Sequence, residues 1–254
     1  MNKLVALTAL ALLPSLAVPA AAIAQESKPD YTITGNVTLA SDYRFRGFTQ
    51  TGYNPTLQGG IDFAHSSGFY LGNWNSNVES GLYRGASLEM DFYGGYKFAA
   101  GPVNLDVGAL YYYYPSGGDK GGLGHVDQGE VYIGASFSYF TLKLSYGLTN
   151  FFGLGDGTSV DTDGNYYIDL GFAYDLGQGW GVNAHYGYQY VKNGKDAGLQ
   201  DDNVSDYKVG VTKDLNGWLL GLSVVGTSDK DYFTTANLRD GGKTGVVVSV
   251  FKSF

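Results

Sequence analysis

The chain has 254 residues, with 24 acidic against 16 basic ones (net charge −8), 44% hydrophobic residues and no cysteine. The acidic balance argues against nucleic acid as a partner, and the absence of cysteine rules out disulfides. Beyond residue 24 no apolar run reaches the roughly 18 residues of a spanning helix, which excludes a helical membrane protein but not a β-barrel, whose strands show only alternation.

The first element in chain order is a leader. Lys3 supplies a positive start, Leu4 to Ala21 is apolar and small, and Ala22-Ile23-Ala24 is a small-x-small cleavage pattern before Gln25. Pro14 and Pro19 are residues a stable spanning helix avoids. Residues 1–24 are therefore expected to be a cleaved signal peptide and residues 25–254 a single barrel domain. Loss of Lys3 takes the net charge to −9.

From Tyr31 to Arg46 the odd positions carry Tyr31, Ile33, Val37, Leu39, Tyr43 and Phe45, while Ala40 is the only apolar residue at even positions. Period two over this stretch predicts one long strand with a dry and a wet face. The dry parity continues in Leu57–Phe63. It is ambiguous in Phe69–Val78, where Phe69 and Leu71 compete with Tyr70 and Trp74. It returns in Leu88–Phe98, Val103–Tyr113, Val131–Tyr139, Leu142–Leu148, Tyr166–Tyr174, Trp180–Tyr190, Tyr207–Val211, Trp218–Val224 and Val246–Val250. These are 12 strands, most of them near the ten residues that a tilted strand needs to cross a bilayer.

Short connections (His65–Gly68, Ala99–Pro102, Tyr139–Phe140, Gly177–Gly179, Asp214–Gly217) alternate with longer ones. The longer ones are Ser76–Ala86, Pro115–Asp127, Asn150–Gly164, Lys192–Asn203 and Ser228–Lys243, with Thr49–Asn54 a brief member of that set. This is the periplasmic-turn, extracellular-loop pattern of a closed antiparallel up-and-down transmembrane barrel in a Gram-negative outer membrane. Aromatics of the dry parity gather at both strand ends: Phe63, Phe98, Tyr139, Tyr174, Trp180 and Trp218 near the turns, and Tyr43, Phe45, Tyr111, Tyr113, Tyr188 and Tyr190 near the loops. Two such rings fit the two bilayer interfaces, and a soluble barrel does not explain them. The last strand ends in the aromatic Phe254, a signal of the type read by the outer-membrane assembly machinery, although Lys252 stands where an apolar residue is commoner.

Four stretches, GNVTLASDYRFRGFTQT (Gly35–Thr51), PTLQGGIDFAHSSGFYLGNWNSNV (Pro55–Val78), LEMDFYGGYKF (Leu88–Phe98) and the final KSF, resemble the TorF-type porin family, a proteobacterial outer-membrane family of unknown function. The SDYRFRG segment is the most specific. The resemblance implies an outer-membrane location and a pore, and carries over no substrate or catalytic residue.

The residues themselves point first to a passive channel for ions or small solutes, needing no cofactor or metal. A 12-stranded barrel tilted about 40°, with strands about 4.8 Å apart, has a backbone radius of about 12 Å, which side chains narrow to a small opening. The wet parity holds nine acids, Asp42, Asp62, Glu89, Asp91, Asp106, Glu130, Asp169, Asp175 and Asp206, against five bases, Arg44, Arg46, Lys97, Lys143 and Lys208. A modest cation preference follows if the lumen is open, whereas cross-wall pairing of these charges would plug it. Arg44 and Arg46, near the outer end of strand one, are expected to pair with nearby acids such as Asp42 or Asp62, with a constriction for anionic solutes as the alternative.

A non-conducting structural or adhesive barrel acting through its acidic loops is the second class. Asp161-Thr162-Asp163-Gly164-Asn165 has the look of a calcium loop but lacks its glycine and terminal glutamate, and reads as a solvated turn. A barrel-wall hydrolase is the third: His185 faces the lumen with Asn183 and Gln189, and a lone lumen histidine without a nucleophile reads as structural. Expected partners are outer-membrane lipid and lipopolysaccharide, the assembly machinery through Phe254, and small solutes or ions; oligomeric state is left open. Mass spectrometry of the exported protein is expected to find a mature chain beginning at Gln25, and a mass retaining residues 1–24 would remove the signal peptide from this reading.

Overall fold

The structure is a computed structural model that describes residues 29–118, 124–233 and 240–254; the expected signal peptide lies outside them. The strands of the first half are β1 (Tyr31–Ala40), β2 (Arg44–Phe45), β3 (Phe48–Thr49), β4 (Thr56–His65), β5 (Phe69–Asn77), β6 (Leu88–Ala100) and β7 (Val103–Tyr113). Those of the second half are β8 (Gln128–Phe137), β9 (Phe140–Gly147), β10 (Tyr166–Gly177), β11 (Trp180–Tyr190), β12 (Asn203–Leu215), β13 (Trp218–Thr227) and β14 (Gly245–Ser253). Twelve of them form one closed antiparallel barrel in the order β1-β14-β13-β12-β11-β10-β9-β8-β7-β6-β5-β4, and β2-β3 is a separate two-stranded ribbon.

The barrel is turned inside out relative to a soluble protein. Val209 is 63% exposed and Leu57 62%, whereas Glu130 is 2% exposed and Gln128 fully buried. Water would not tolerate this apolar exterior, but a bilayer favours it, because lipid removes the penalty on the aliphatic wall while closure pairs every strand edge. Tyr139 and Tyr174 meet edge to face at 4.8 Å at the short-turn end, and Tyr166 stacks on Tyr190 at 5.1 Å at the loop end. The rings therefore occupy both rims, as the sequence predicts.

The closing seam joins the first barrel strand to the last. Asn36 to Ala40 of β1 face Ser253 to Ser249 of β14. Gly35 extends the seam by exchanging two backbone hydrogen bonds with Phe254, 2.8 and 2.9 Å long. A side chain at Gly35 would strike the Phe254 ring, since a Cβ there would lie 2.7 Å from it. The glycine thus makes the seat for the terminal aromatic on the barrel's outer face.

Two expectations are corrected. Tyr31–Arg46 is not one strand: β1 ends at Ala40 and the chain then turns into the lumen. Tyr43 and Phe45 consequently do not belong to the outer aromatic ring; both are buried inside the barrel. The ambiguous strand is resolved as well. On β5, Phe69 and Leu71 are exposed to lipid and Trp74 is buried within, which leaves Asn73 and Asn75 on the outer face. Asn73 satisfies its amide on the Asp91 carbonyl (3.0 Å), and Asn75 donates to the Asn73 side chain (2.6 Å).

Trp74 meets Tyr43 edge to face at 5.3 Å, in a buried cluster with Val78, Tyr83, Leu110, Tyr112 and Tyr114. Trp74→Ala would empty the centre of that cluster, and urea unfolding in lipid vesicles is expected to show a loss of about 3–5 kcal/mol. A change below 1 kcal/mol would mean that the cluster does not anchor the inserted segment.

Candidate functional site

The connection from β1 to β4 folds back into the barrel as a hairpin. Its turn is Arg46-Gly47, flanked by the paired Phe45 and Phe48. Both turn residues have positive φ, +46° and +82°, the geometry of the tight two-residue hairpin turn that favours glycine at its second position. Glycine is required at the tip for space too: a Cβ on Gly47 would lie 2.5 Å from Thr227 and 2.6 Å from Asp206 on the wall. The base of the hairpin is tied by Asp42, which accepts hydrogen bonds from the Thr49 hydroxyl (2.6 Å) and the Thr51 hydroxyl (3.0 Å) and pairs with Arg44.

Arg46 reaches the far wall. One of its terminal nitrogens donates to both oxygens of Glu130 on β8 (2.6 and 2.9 Å), and the other donates to Gln189 Oε1 on β11 (2.5 Å). The guanidinium is sandwiched by the Phe45 and Tyr167 rings, 4.7 and 4.4 Å from their centroids. It is 6% exposed and its Nε has no acceptor among the described residues. The expectation that both arginines stand on strand one is corrected: both sit on the inserted hairpin. Arg44 finds Asp42 as expected, but the partner of Arg46 is Glu130, on the opposite side of the ring.

The other lumen residues fall into two levels. Under the hairpin, Glu89 accepts from the Tyr43 hydroxyl (3.0 Å), and Glu89 and Asp91 are almost completely buried. Below them several inward side chains, Asp62, Lys97 and Asp106 among them, are half-buried or exposed. Asp62 accepts from Tyr93 (2.5 Å) and Asp106 from Tyr70 (2.6 Å). Lys97 and Lys143 lie over the Tyr70 and Tyr132 rings at 4.6 and 4.0 Å, and Lys208, opposite His185 on the inward parity of β12, is exposed. His185 is held at both ring nitrogens, by Asp169 and by Asp206, each at 2.7 Å. The acidic loop is occupied by a lysine: Lys192 bridges Asp161 and Asp163 at 2.9 and 3.0 Å, and these hydrogen bonds raise its pKa to about 12.

Above the hairpin the extracellular loops border a partly open cavity of about 480 Å³. Its floor is the hairpin (Phe45 to Gln50) with Gln189; its walls include Tyr83, Arg84, Phe151, Phe152, Leu199, Tyr232 and Phe233. Sequence reasoning missed this chamber. The available signal was the pair of aromatic doublets, Phe151-Phe152 and Tyr232-Phe233, in loops that are otherwise polar.

Over residues 24–254 the sequence matches the Gcw_chp family, described as a bacterial protein of unknown function. The chain belongs to the Gcw_chp family. No curated protein matches the sequence of this Gcw_chp member. Among solved structures it is similar to the NanC porin, with a TM-score of 0.55 and 6% identity over 87% of this chain and 98% of that one. It is also similar to the KdgM porin in complex with disordered oligogalacturonate, with a TM-score of 0.52 and 10% identity over 87% and 98%. At these identities the likeness is one of fold. Together with the lipid-facing wall, it places this Gcw_chp barrel in the bacterial outer membrane.

The hairpin tip has no room for a side chain, so Gly47→Val is expected to lever it off the β12–β13 wall. Single-channel recording should then show openings several-fold larger than wild type, with the barrel still heat-modifiable on gels. Unchanged conductance in a folded barrel would mean that the hairpin does not limit the lumen.

Proposed function

We propose that the protein is a narrow outer-membrane channel for passive diffusion of ions and small solutes, with the inserted hairpin as its constriction. The observation that carries this reading is the division of the lumen: polar inward side chains, Asp62, Lys97, Asp106 and Lys208, that are half-buried or exposed, with one hairpin held through Arg46 inserted above them. A lumen built only for stability would be filled along its whole height. The porin fold of the structural neighbours supports the same reading, and the TorF-type likeness of Gly35–Thr51 belongs to it.

The ion preference we propose is cation-leaning and small. Glu89 and Asp91 are shut under the hairpin, and Asp42 and Glu130 are matched by arginines. That leaves Asp62, Asp106 and Asp175 roughly balanced by Lys97, Lys143 and Lys208 in the wet half. The Asp169–His185–Asp206 cluster tips the sum towards acid, with two carboxylates around one imidazole. We read the barrel as non-enzymatic, because both nitrogens of His185 are committed to carboxylates.

A non-conducting barrel acting through its loops is the second reading, favoured by the filled outer half. Planar-bilayer recording of the refolded protein under a salt gradient separates the two. The channel predicts steady conductance steps and a reversal potential displaced slightly towards the cation equilibrium value. A folded barrel without conductance would overturn it in favour of the loop reading, and an anion-directed reversal potential would overturn the selectivity alone.

A further inference from the structure

The lipid-facing wall is almost free of charge, and its exceptions stand close together. Among the described residues, the outward parity of the barrel strands carries no acid and two lysines, Lys213 on β12 and Lys252 on β14. Both lie towards the short-turn rim, the periplasmic one. Each is paired with an exposed tryptophan of the outer wall: Trp180 on β11 is the register partner of Lys213, and Trp218 on β13 that of Lys252. The Lys213 ammonium lies 4.9 Å from the Trp180 ring centre, and that of Lys252 5.6 Å from the Trp218 ring centre. Since β11 to β14 are consecutive in the ring, four neighbouring strands supply a Trp-Lys-Trp-Lys series on one face. The third tryptophan of the chain, Trp74, is buried inside.

A lysine is costly in hydrocarbon, but near an interface it can run its stem along the wall and set its ammonium among the headgroups. Both lysines do so towards the turns. Lys213 Nζ donates to the Gln178 carbonyl of the β10–β11 turn (2.7 Å), and Lys252 Nζ lies beside Gly217 of the β12–β13 turn, 2.7 Å from where a Cβ would stand. The two turns adjoin, because the Asp214 amide donates to the Gly179 carbonyl (2.7 Å). An ammonium has three donors, and Lys213 uses one of them on Gln178. Neither lysine forms an ion pair among the described residues, and both are only half-buried. The loop lysines differ: Lys192, Lys195 and Lys230 are all bound to aspartates. The acids at these turns, Asp175 and Asp214, stand on the inward parity and accept from the Gly177 and Gly217 amides (2.7 Å each). His65, on the outward parity of β4, is held by Ser67 (2.8 Å).

We infer that this face of β11–β14 is a docking site for an acidic phospholipid of the periplasmic leaflet. The lysines hold headgroup phosphate, and the tryptophan rings seat the glycerol region and the upper acyl chains. Charge complementarity selects the acidic lipid: two cations face outward, and no outward carboxylate is present to receive the ammonium of a zwitterionic headgroup. The chain as a whole carries a net charge of −8, which by itself repels an anionic surface, so a preference for acidic lipid has to be local. Lys252, unusual in a terminal strand of this kind, thereby has a function. The inference does not depend on conduction.

Trp180 and Trp218 are the reporters for the test. The refolded barrel is placed in phosphatidylcholine vesicles containing a fraction of acyl-brominated phosphatidylglycerol, phosphatidylethanolamine or phosphatidylcholine, and quenching of tryptophan fluorescence is read. Quenching is expected to correspond to about tenfold tighter occupancy by phosphatidylglycerol than by phosphatidylcholine, as two lysines near a membrane surface act together. The double variant Lys213→Gln, Lys252→Gln should bring that ratio close to one, and Lys213→Arg, Lys252→Arg should keep it. Lys192→Gln, Lys195→Gln removes the same charge from the loops and should leave the ratio unchanged. Heat-modifiable migration verifies folding of each variant. A ratio of one in the wild-type barrel overturns the site, as does a ratio that survives the Gln pair at the rim. Equal loss in the loop variant overturns it in favour of whole-molecule electrostatics. Phosphatidylethanolamine quenching as strongly as phosphatidylglycerol overturns it too, because the face would then not select acidic lipid.

Discussion

Inside a bilayer a backbone amide has no solvent to fall back on, so a sheet that crosses it must close on itself. Here closure depends on the shortest strand contact in the ring, five residue pairs between β1 and β14, lengthened by the Gly35–Phe254 exchange. The lipid-facing valines and leucines, the inward charges and the alternation of short turns with long loops are all consequences of satisfying that requirement. Once the ring is closed, each residue's parity decides whether it meets lipid or lumen, and side chains such as Glu130 and Asp206 can be buried without being placed in hydrocarbon.

Closure leaves an interior wide enough to need a second structure, and the chain supplies it from its own first loop. The hairpin brings Tyr43, Phe45 and Phe48 to the wall clusters and Arg46 to Glu130. Ion pairing of this kind is weak evidence for stability in itself, because a buried pair loses hydration on both partners. Its value here is positional: two hydrogen bonds to one carboxylate and one to Gln189 fix a single orientation of the tip. The hairpin that carries it forms the floor of the aromatic chamber, so one fixed turn sets the boundary between that chamber and the polar inward residues of the wall.

The ring was legible in the sequence because a strand with one lipid face and one wet face writes its period directly into the residues. Strand number, loop sides and both aromatic rims follow from Leu88–Phe98 or Trp180–Tyr190 without further information. The hairpin was not legible for the same reason. Tyr43 and Phe45 continue the dry parity of β1, and alternation does not distinguish a face turned to lipid from one turned to a protein core. The clue was length, since 16 residues of alternation exceed the 9–11 that a tilted strand needs. The parity of β5 was unreadable because Trp74 faces inward to meet Tyr43 while Asn73 and Asn75 face out, and both choices depend on neighbours distant in sequence. Glu130 lies 84 positions from Arg46, and no local pattern joins them.

The brace through Arg46 also has a mechanical meaning. An empty ring of strands deforms most readily by flattening, since an ellipse preserves every hydrogen bond along the wall. Arg46 is rooted near the β1–β4 edge and grips β8 and β11 across the ring, so flattening along that diameter would have to break its contacts. The cross-section is therefore stiffened against changes in lateral pressure from the surrounding lipid. A force that lifts the hairpin from outside would soften the wall as it widens the passage.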